Sequence, residues 1–231
     1  DAELGMAIGR ALGIEADILW DLEVNANRPD AMSVAGVARD LAAALGVPFS
    51  YPDYSITTTG EQVDDLINVT IEDPTLCGRF VATVLRDVTV GASPAWMQNR
   101  LTQLGMRPIN SVVDISNYVM LELGQPNHTF DLAAIPNGAL RVRRARDGET
   151  LVTLDDVERA LVPNDGVIAN EADEIISLAG VMGGSTTEIS DSTTDVLLEM
   201  AWWNPPSISR TVKRLNLPSE ASTRFRRGAD W

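Results

Sequence analysis

The chain contains a single histidine, His128, in a polar segment that could present side chains to a ligand. The segment runs from Gly124, a helix-stop residue, through Pro126 to Asp131, and this composition is typical of a turn. A histidine in a turn can shuttle a proton or bind an acyl or ribose group. A structural histidine bonded to a loop carbonyl would have the same pattern, so the residues alone leave both interpretations open.

Two other segments combine residue types that suit a binding pocket. Residues 179–184 carry three glycines after a short predicted strand, and bare backbone lets a ligand approach and exposes N–H groups. Glu199 interrupts the apolar strand 196–201, and a carboxylate buried there must be paired or hydrogen-bonded, as by a ligand hydroxyl. The alternatives are a tight turn for the glycines, and a solvent-facing or arginine-paired carboxylate for Glu199.

Cations could complete an anion-binding surface, although the chain is acidic, with 18 basic and 33 acidic residues and a net charge of −15. Arg107 could join the pocket or be a surface cation. Asn117 could join the pocket or belong to a polar helix face. Basic residues concentrate in ranges 141–146 and 210–227, which predicts a local anion-facing surface. A solvated helix face is the alternative for the second range.

The same composition excludes several functional classes. The single Cys77 excludes an internal disulfide and a cysteine metal cluster, and one histidine beside it makes zinc an unexpected ligand. No apolar run approaches the ~20 residues of a membrane span. We therefore expect no metal and no membrane contact, and the start at Asp1, without Met, indicates a segment of a longer chain.

Hydrophobic spacing and capping residues predict the elements that must position these side chains. Strands and helices alternate irregularly, which predicts an α+β fold of mixed sheets with packed helices. The polar stretch 50–65 is interpreted as a linker between a partial first module, residues 1–60, and a second domain, residues 64–231. The predicted helices are 3–13, 33–45 (capped by Ser33), 93–105 (capped by Ser93), 111–123, 207–215 and 219–227; the predicted strands are 18–24, 67–72, 79–88, 140–145, 175–178 and 196–200, with a hairpin or meander over 149–169.

Read together, these segments resemble the beta subunit of bacterial phenylalanyl-tRNA synthetase, in that family's order and spacing. The segments that carry the resemblance are Asn27-Arg28-Pro29-Asp30 with 33–40, and 113–120, 124–128, 179–184, Leu198-Glu199 and 219–225.

The resemblance implies that residues 1–60 are the end of an N-terminal scaffold module and residues 64–231 the central editing modules. In the family, the editing site hydrolyses tyrosine wrongly esterified to the phenylalanine tRNA. Such a site must read one hydroxyl, and a site built to bond it can discriminate by about 10⁴–10⁵. The family's pattern assigns that reading to Glu199.

The remaining site residues are also implied by the resemblance. His128, Asn117 and Pro126 would lie around the ester and terminal adenosine, with His128 orienting water or substrate, and Arg107 would contact or brace the substrate region. Ala179, Gly180 and Gly183 would line the ring pocket. The last motif adds Ala221 and Ser219, and Ser219 stands where threonine is common.

For the complete enzyme the resemblance implies an α2β2 tetramer with an alpha subunit, tRNA(Phe) as partner, and a cytoplasmic location. ATP and Mg²⁺ would serve the complete enzyme, with no cofactor in this segment. The alternatives are a non-catalytic scaffold or tRNA-docking module with a vestigial pocket and, less favoured because of the scaffold-like start, a free-standing editing protein.

Overall fold

The computed structural model describes residues 3–11 and 18–229. Across those ranges, each helix is too short or too polar to cross a membrane. The described chain forms seven α-helices and three β-sheets, which confirms the predicted α+β class. The helices are α1 (Ile8–Ala11), α2 (Val34–Leu45), α3 (Val63–Leu66), α4 (Ala95–Gln103), α5 (Ser111–Leu123), α6 (Pro205–Leu215) and α7 (Glu220–Phe225). The strands are β1 (Asn68–Ile71), β2 (Cys77–Leu85), β3 (Asn127–Asp131), β4 (Ala139–Arg144), β5 (Thr150–Val152), β6 (Glu158–Ala160), β7 (Gly166–Ala169), β8 (Ile175–Leu178), β9 (Met182–Gly183) and β10 (Val196–Trp203).

Side chains at the helix ends explain why α2 and α5 begin and stop where they do. Ser33 accepts a hydrogen bond from the Gly36 N–H, and Asn110 caps α5 in the same way. Both helices end at a glycine in the left-handed conformation, Gly46 at φ 66° and Gly124 at φ 84°. These end signals are local, so the sequence predicts both helices well.

The predicted cap of α4 is wrong. The helix begins at Ala95 with Pro94 as its N-cap residue, and no side chain caps it. Ser93 instead donates its hydroxyl to the buried carboxylate of Asp114 on α5. The Ser93 hydroxyl therefore donates to a distant carboxylate instead of accepting from a backbone N–H of its own helix, which sequence spacing could not reveal.

The larger sheet has the strand order β1-β4-β7-β8-β9. Only the β1–β4 pair is parallel, and the other neighbours are antiparallel. The predicted hairpin region is confirmed as the β5–β6 hairpin followed by β7. An isolated bridge between Thr153 and Gly184 fastens that hairpin to the end of β9.

The second sheet has β10 in the centre, with β2 and β3 antiparallel on either side. β3 contains His128, so the segment predicted as a turn is an edge strand. The strand Asn127–Asp131 begins and ends with polar residues that are depleted in strands, and pairing with β10 supplies the backbone partners.

One buried apolar cluster contains residues from both of these sheets. From β10 it includes Leu197, Ala201 and Trp203, and from the larger sheet it includes Val142 and Ile168. The three β10 residues lie on one face of that strand, because alternate residues of a strand point to the same side. The opposite face of β10 lies against α5, across an apolar cavity that both elements line.

The first fifty residues differ from the prediction in two ways. No strand forms over 18–24, and among the described residues none pairs with this stretch as a strand. The Val24 carbonyl instead accepts a hydrogen bond from Arg227, and Arg224 donates to the Met32 carbonyl at 3.0 Å. The predicted helix 3–13 is helical only over α1 (Ile8–Ala11): residues 3–7 are not helical, and residues 12 and 13 lie outside the described residues. The division at residues 60–64 stays a prediction.

Candidate functional site

The sheet register places Glu199 and His128 directly opposite each other. Glu199 of β10 pairs with His128 of β3, and with Ala82 of β2 on its other side. Side chains directly opposite in an antiparallel pair lie on the same face, with Cβ atoms about 5 Å apart. Two of the predicted site residues therefore meet, on the face of the sheet that also carries the apolar core.

Glu199 is an acidic residue on the face of the sheet that carries the apolar core. Its side chain is surrounded by core neighbours, with only 6% of the residue exposed. Within residues 3–11 and 18–229, no hydrogen bond or salt bridge reaches its carboxyl group. Burial therefore raises the carboxyl pKa from 4.5 to about 8. At neutral pH the group is protonated, so it can both donate and accept a hydrogen bond.

His128 is also held in its neutral form. Burial lowers the imidazole pKa from 6.5 to about 4, because the protonated ring would lose hydration. The ring packs edge-to-face on Phe130, with centroids 4.5 Å apart and planes at 90°. Elsewhere in the described chain no group hydrogen-bonds the imidazole nitrogens. The site thus contains two neutral, unpaired polar groups on adjacent strands.

The glycines of the 179–184 segment make room for side chains of the protein itself. A Cβ on Gly183 would lie 2.5 Å from Cε1 and Nε2 of His128, closer than real contacts permit. At Gly180, which has φ +67°, a Cβ would lie 2.8 Å from Trp203. Glycine at position 183 therefore allows the imidazole to lie directly against backbone. The predicted role of these glycines in lining a ring pocket stays a prediction.

Ser219 joins the end of the chain to the same glycine segment. Its hydroxyl donates to the Val181 carbonyl at 2.8 Å and also accepts from the Ser222 N–H, which caps α7. Ala179 is buried, and Ala221 is partly buried against the core cluster. Ser219 thus fixes the position of the segment that contacts His128.

The other three predicted residues are not paired with Glu199 in the sheet register. Pro126 is buried immediately before β3. Asn117 follows Ser116 on α5, the helix packed on the opposite face of the sheet, and the Ser116 hydroxyl donates to the Asn127 carbonyl at 3.1 Å. Asn117 is partly buried on α5 and makes no hydrogen bond to the described residues of β3.

Arg107 is exposed in the loop that joins α4 to α5. No hydrogen bond or ion pair ties its guanidinium group to any other described residue. The structure does not bring it together with Glu199 and His128.

The arginines of the 141–146 range are used within the fold. Arg143 is only 2% exposed and pairs with Glu149 at 2.8 Å and with Asp173 at 2.9 Å. The other arginines of the range also contact carboxylates, so this stretch is an internal ion-pair network. The pairs are Arg141 with Glu72 and Asp173, Arg144 with Asp73, and Arg146 with Asp173 and Glu149. The predicted anion-facing surface here is wrong.

Arg224 is also buried, paired with Glu220 at 2.7 Å and bonded to the Met32 carbonyl. Only its Nε atom has no partner among the described residues. Among residues 3–11 and 18–229, no group of three or more histidine, cysteine, aspartate or glutamate side chains is placed to hold a metal ion.

Leu154 at the tip of the β5–β6 hairpin is the residue at this site that sequence reasoning missed. Its Cδ1 lies 3.2 Å from the point where a Cβ on Gly183 would stand, beside the imidazole. It is 37% exposed, so it lies at the surface of the site. An apolar residue in a polar turn was the available signal, but nothing in the sequence showed which strand the turn would meet.

Comparison with known proteins assigns most of the chain to one family. The B3/4 domain family matches residues 76–231. The phenylalanine–tRNA ligase beta subunit of Geobacter sulfurreducens is 46% identical over 230 residues, covering 100% of this chain and 28% of that protein. The same subunit of Anaeromyxobacter dehalogenans is 48% identical over 226 residues, covering 98% of this chain and 28% of that protein.

Among solved structures, the chain is similar to an N-terminal fragment of the phenylalanyl-tRNA synthetase beta subunit from Pyrococcus horikoshii. The TM-score is 0.41 with 18% sequence identity, covering 85% of this chain and 59% of that chain. The chain spans about 28% of the length of the curated relatives it matches.

Proposed function

Because the chain belongs to the B3/4 domain family and corresponds to a segment of bacterial phenylalanine–tRNA ligase beta subunits, we propose that it carries the editing site of such a ligase. The substrate would be tyrosine wrongly esterified to tRNA(Phe), and the products free tyrosine and uncharged tRNA. In the complete enzyme the subunit would pair with an alpha subunit as an α2β2 tetramer in the cytoplasm. ATP and Mg²⁺ would serve aminoacylation outside this segment.

The observation that carries the proposal is the unpaired, buried carboxyl group of Glu199 opposite His128. A buried polar group without a partner is costly, and a ligand that supplies the missing hydrogen bond recovers that cost. The phenol hydroxyl of tyrosine can both donate to and accept from a protonated carboxyl group. Phenylalanine would leave the carboxyl group unpaired, so this single contact distinguishes the two amino acids.

Hydrolysis needs a water molecule near the ester carbonyl and a way to orient it. The neutral imidazole of His128 can accept a hydrogen bond from that water. A pKa of about 4 makes it a weak base, which favours an orienting role over full proton removal. Attack forms a C–O bond from water to the acyl carbon, the bond to the ribose oxygen breaks, and the water's proton passes to that oxygen.

The test is deacylation of tyrosyl-tRNA and phenylalanyl-tRNA by the complete ligase. We expect the parent to hydrolyse the tyrosyl ester in preference, and Glu199→Ala to lose at least about 100-fold of that rate. Glu188→Ala removes an exposed carboxylate and should match the parent. Parental hydrolysis by Glu199→Ala would contradict the assignment of Glu199 as the hydroxyl reader.

The second candidate, a scaffold or tRNA-docking module, is favoured by the contacts of the first fifty residues with Arg224 of α7 and with Arg227. It predicts tRNA binding by the complete ligase without any deacylation that depends on Glu199. The same pair of variants separates the two candidates, since only an editing site makes hydrolysis of the tyrosyl ester sensitive to that carboxyl group.

A further inference from the structure

Leu154 and His128 meet at one point in front of Gly183. If Gly183 had a Cβ, His128 Cε1 and Nε2 would both lie 2.5 Å from it and Leu154 Cδ1 3.2 Å from it. The leucine side chain therefore lies beside the Cε1–Nε2 edge of the imidazole, on the same side of the β9 backbone. The sequence separates the two residues by 26 positions, and only the packing of the hairpin on the larger sheet joins them.

The hairpin holds Leu154 firmly in this place. The Leu154 N–H donates to the Gly183 carbonyl at 3.1 Å, so the leucine backbone is tied to the residue under the imidazole. Thr153, which is fully buried, donates its N–H to the Val157 carbonyl at 3.1 Å and accepts from Arg159 Nε at 2.9 Å. The tip of the hairpin is therefore a bonded unit and not a loose loop.

We propose that Leu154 is a positioning residue, which holds the His128 imidazole against Gly183 and shields its Cε1–Nε2 edge from bulk water. The proposal deepens the proposed function and rests on it for its catalytic meaning. Leu154 is 37% exposed and the imidazole beside it is partly buried, so the apolar side chain limits the water that reaches the ring. A fixed, water-restricted imidazole can orient one water molecule, because a shift of about 1 Å in such a group costs up to about 10²-fold in rate.

The titratable side chains near the imidazole do not shield it from water. On β10 the titratable group is Glu199, which is itself buried and protonated at neutral pH. On the hairpin, Asp155 pairs with Arg159, and Asp156 and Glu158 are exposed. The lowered pKa of His128 arises from burial and not from any of these charges.

The proposal predicts a specific effect of Leu154→Ala in the complete ligase. We expect kcat for tyrosyl-tRNA deacylation to fall about tenfold while KM changes less than about threefold, because ring orientation and not substrate binding is lost. Leu154→Met, which keeps an apolar side chain of similar volume, should restore the rate. Val157→Ala removes another exposed apolar side chain from the same hairpin and is the matched control.

A second measurement follows the imidazole directly. Deuterium exchange at the Cε1 hydrogen, measured by mass spectrometry on the peptide that contains His128, reports both its solvent access and its pKa. In the Leu154→Ala ligase the exchange should be faster, and its pH midpoint should rise from about 4 toward the ordinary 6.5. Val157→Ala should leave both unchanged.

The two measurements separate the possible failures. An exchange curve for Leu154→Ala that matches the parent would overturn the positioning role, whatever happens to the rate. If the parent ligase does not deacylate tyrosyl-tRNA, the proposed function fails, and the exchange comparison still decides whether Leu154 holds and shields the imidazole.

Discussion

Replacing Glu199 by glutamine is expected to stabilise the protein at alkaline pH and to change its stability by less than about 1 kcal/mol near pH 5. Glutamine has the shape of the protonated carboxyl group and can also donate and accept a hydrogen bond, but it cannot ionise. The variant therefore removes one thing only, the cost of charging a buried group that has no partner among the described residues.

The magnitude follows from the difference between the folded and unfolded pKa. Burial raises the carboxyl pKa from 4.5 to about 8, so the folded state keeps a proton that the unfolded state loses. Stability from this group is fully present below pH 4.5 and is lost as the pH rises to 8. The loss is about 3 kcal/mol at pH 7 and about 5 kcal/mol at pH 9. His128 is present in parent and variant, so its own titration largely cancels in their difference.

The assay is urea unfolding at pH 5, 7 and 9, followed by tryptophan fluorescence, for the parent and for Glu199→Gln. The difference in free energy of unfolding should grow with pH toward the values above. Glu188→Gln, at an exposed position, should show no such trend. A difference that is the same at all three pH values would refute the reasoning, because it would mean that the buried carboxyl group titrates normally.

Three other perturbations test the packing around the site and the core. Gly183→Ala should destabilise the protein by about 1–3 kcal/mol and impair deacylation, because the new methyl group overlaps the imidazole. Gly91→Ala, where a Cβ meets open space, should do neither. Urea unfolding measures the stability and single-turnover deacylation measures the activity. Arg143→Met should cost about 3–5 kcal/mol in urea unfolding because two carboxylates lose a buried cation, and the exposed Arg146→Met should cost much less. Cys77, buried with a pKa raised to about 12 by desolvation, should resist a maleimide reagent at pH 8 until the protein unfolds, and fast labelling of the native protein would contradict its burial.

Local signals account for the parts of the fold that the sequence predicts well. Helix α5 runs from Ser111 to Leu123 as expected, because Asn110 and Gly124 terminate it within its own sequence. Helix α2 ends at Leu45 for the same reason. Such capping interactions span three or four residues, so residue type and spacing are sufficient to find them.

The errors occur where a distant partner decides the conformation. The segment around His128 has the composition of a turn and becomes a strand because β10 offers it backbone partners. The stretch 18–24 has the apolar composition of a strand, but it pairs with no described strand. Ser93 has the position of a cap and instead donates to Asp114, 21 residues away.

The sequence by itself determined the α+β class, the main helices, and the family resemblance that singled out Glu199 and His128. It also limited the chemistry, because one histidine and one cysteine leave few combinations. Only the tertiary structure decided that the two groups face each other, that Glu199 is buried and His128 partly buried, that both are neutral, and that the imidazole fills the space left by Gly183. The physical reason is that desolvation and cross-strand contact depend on the register between strands far apart in the chain, which no short pattern of residues encodes.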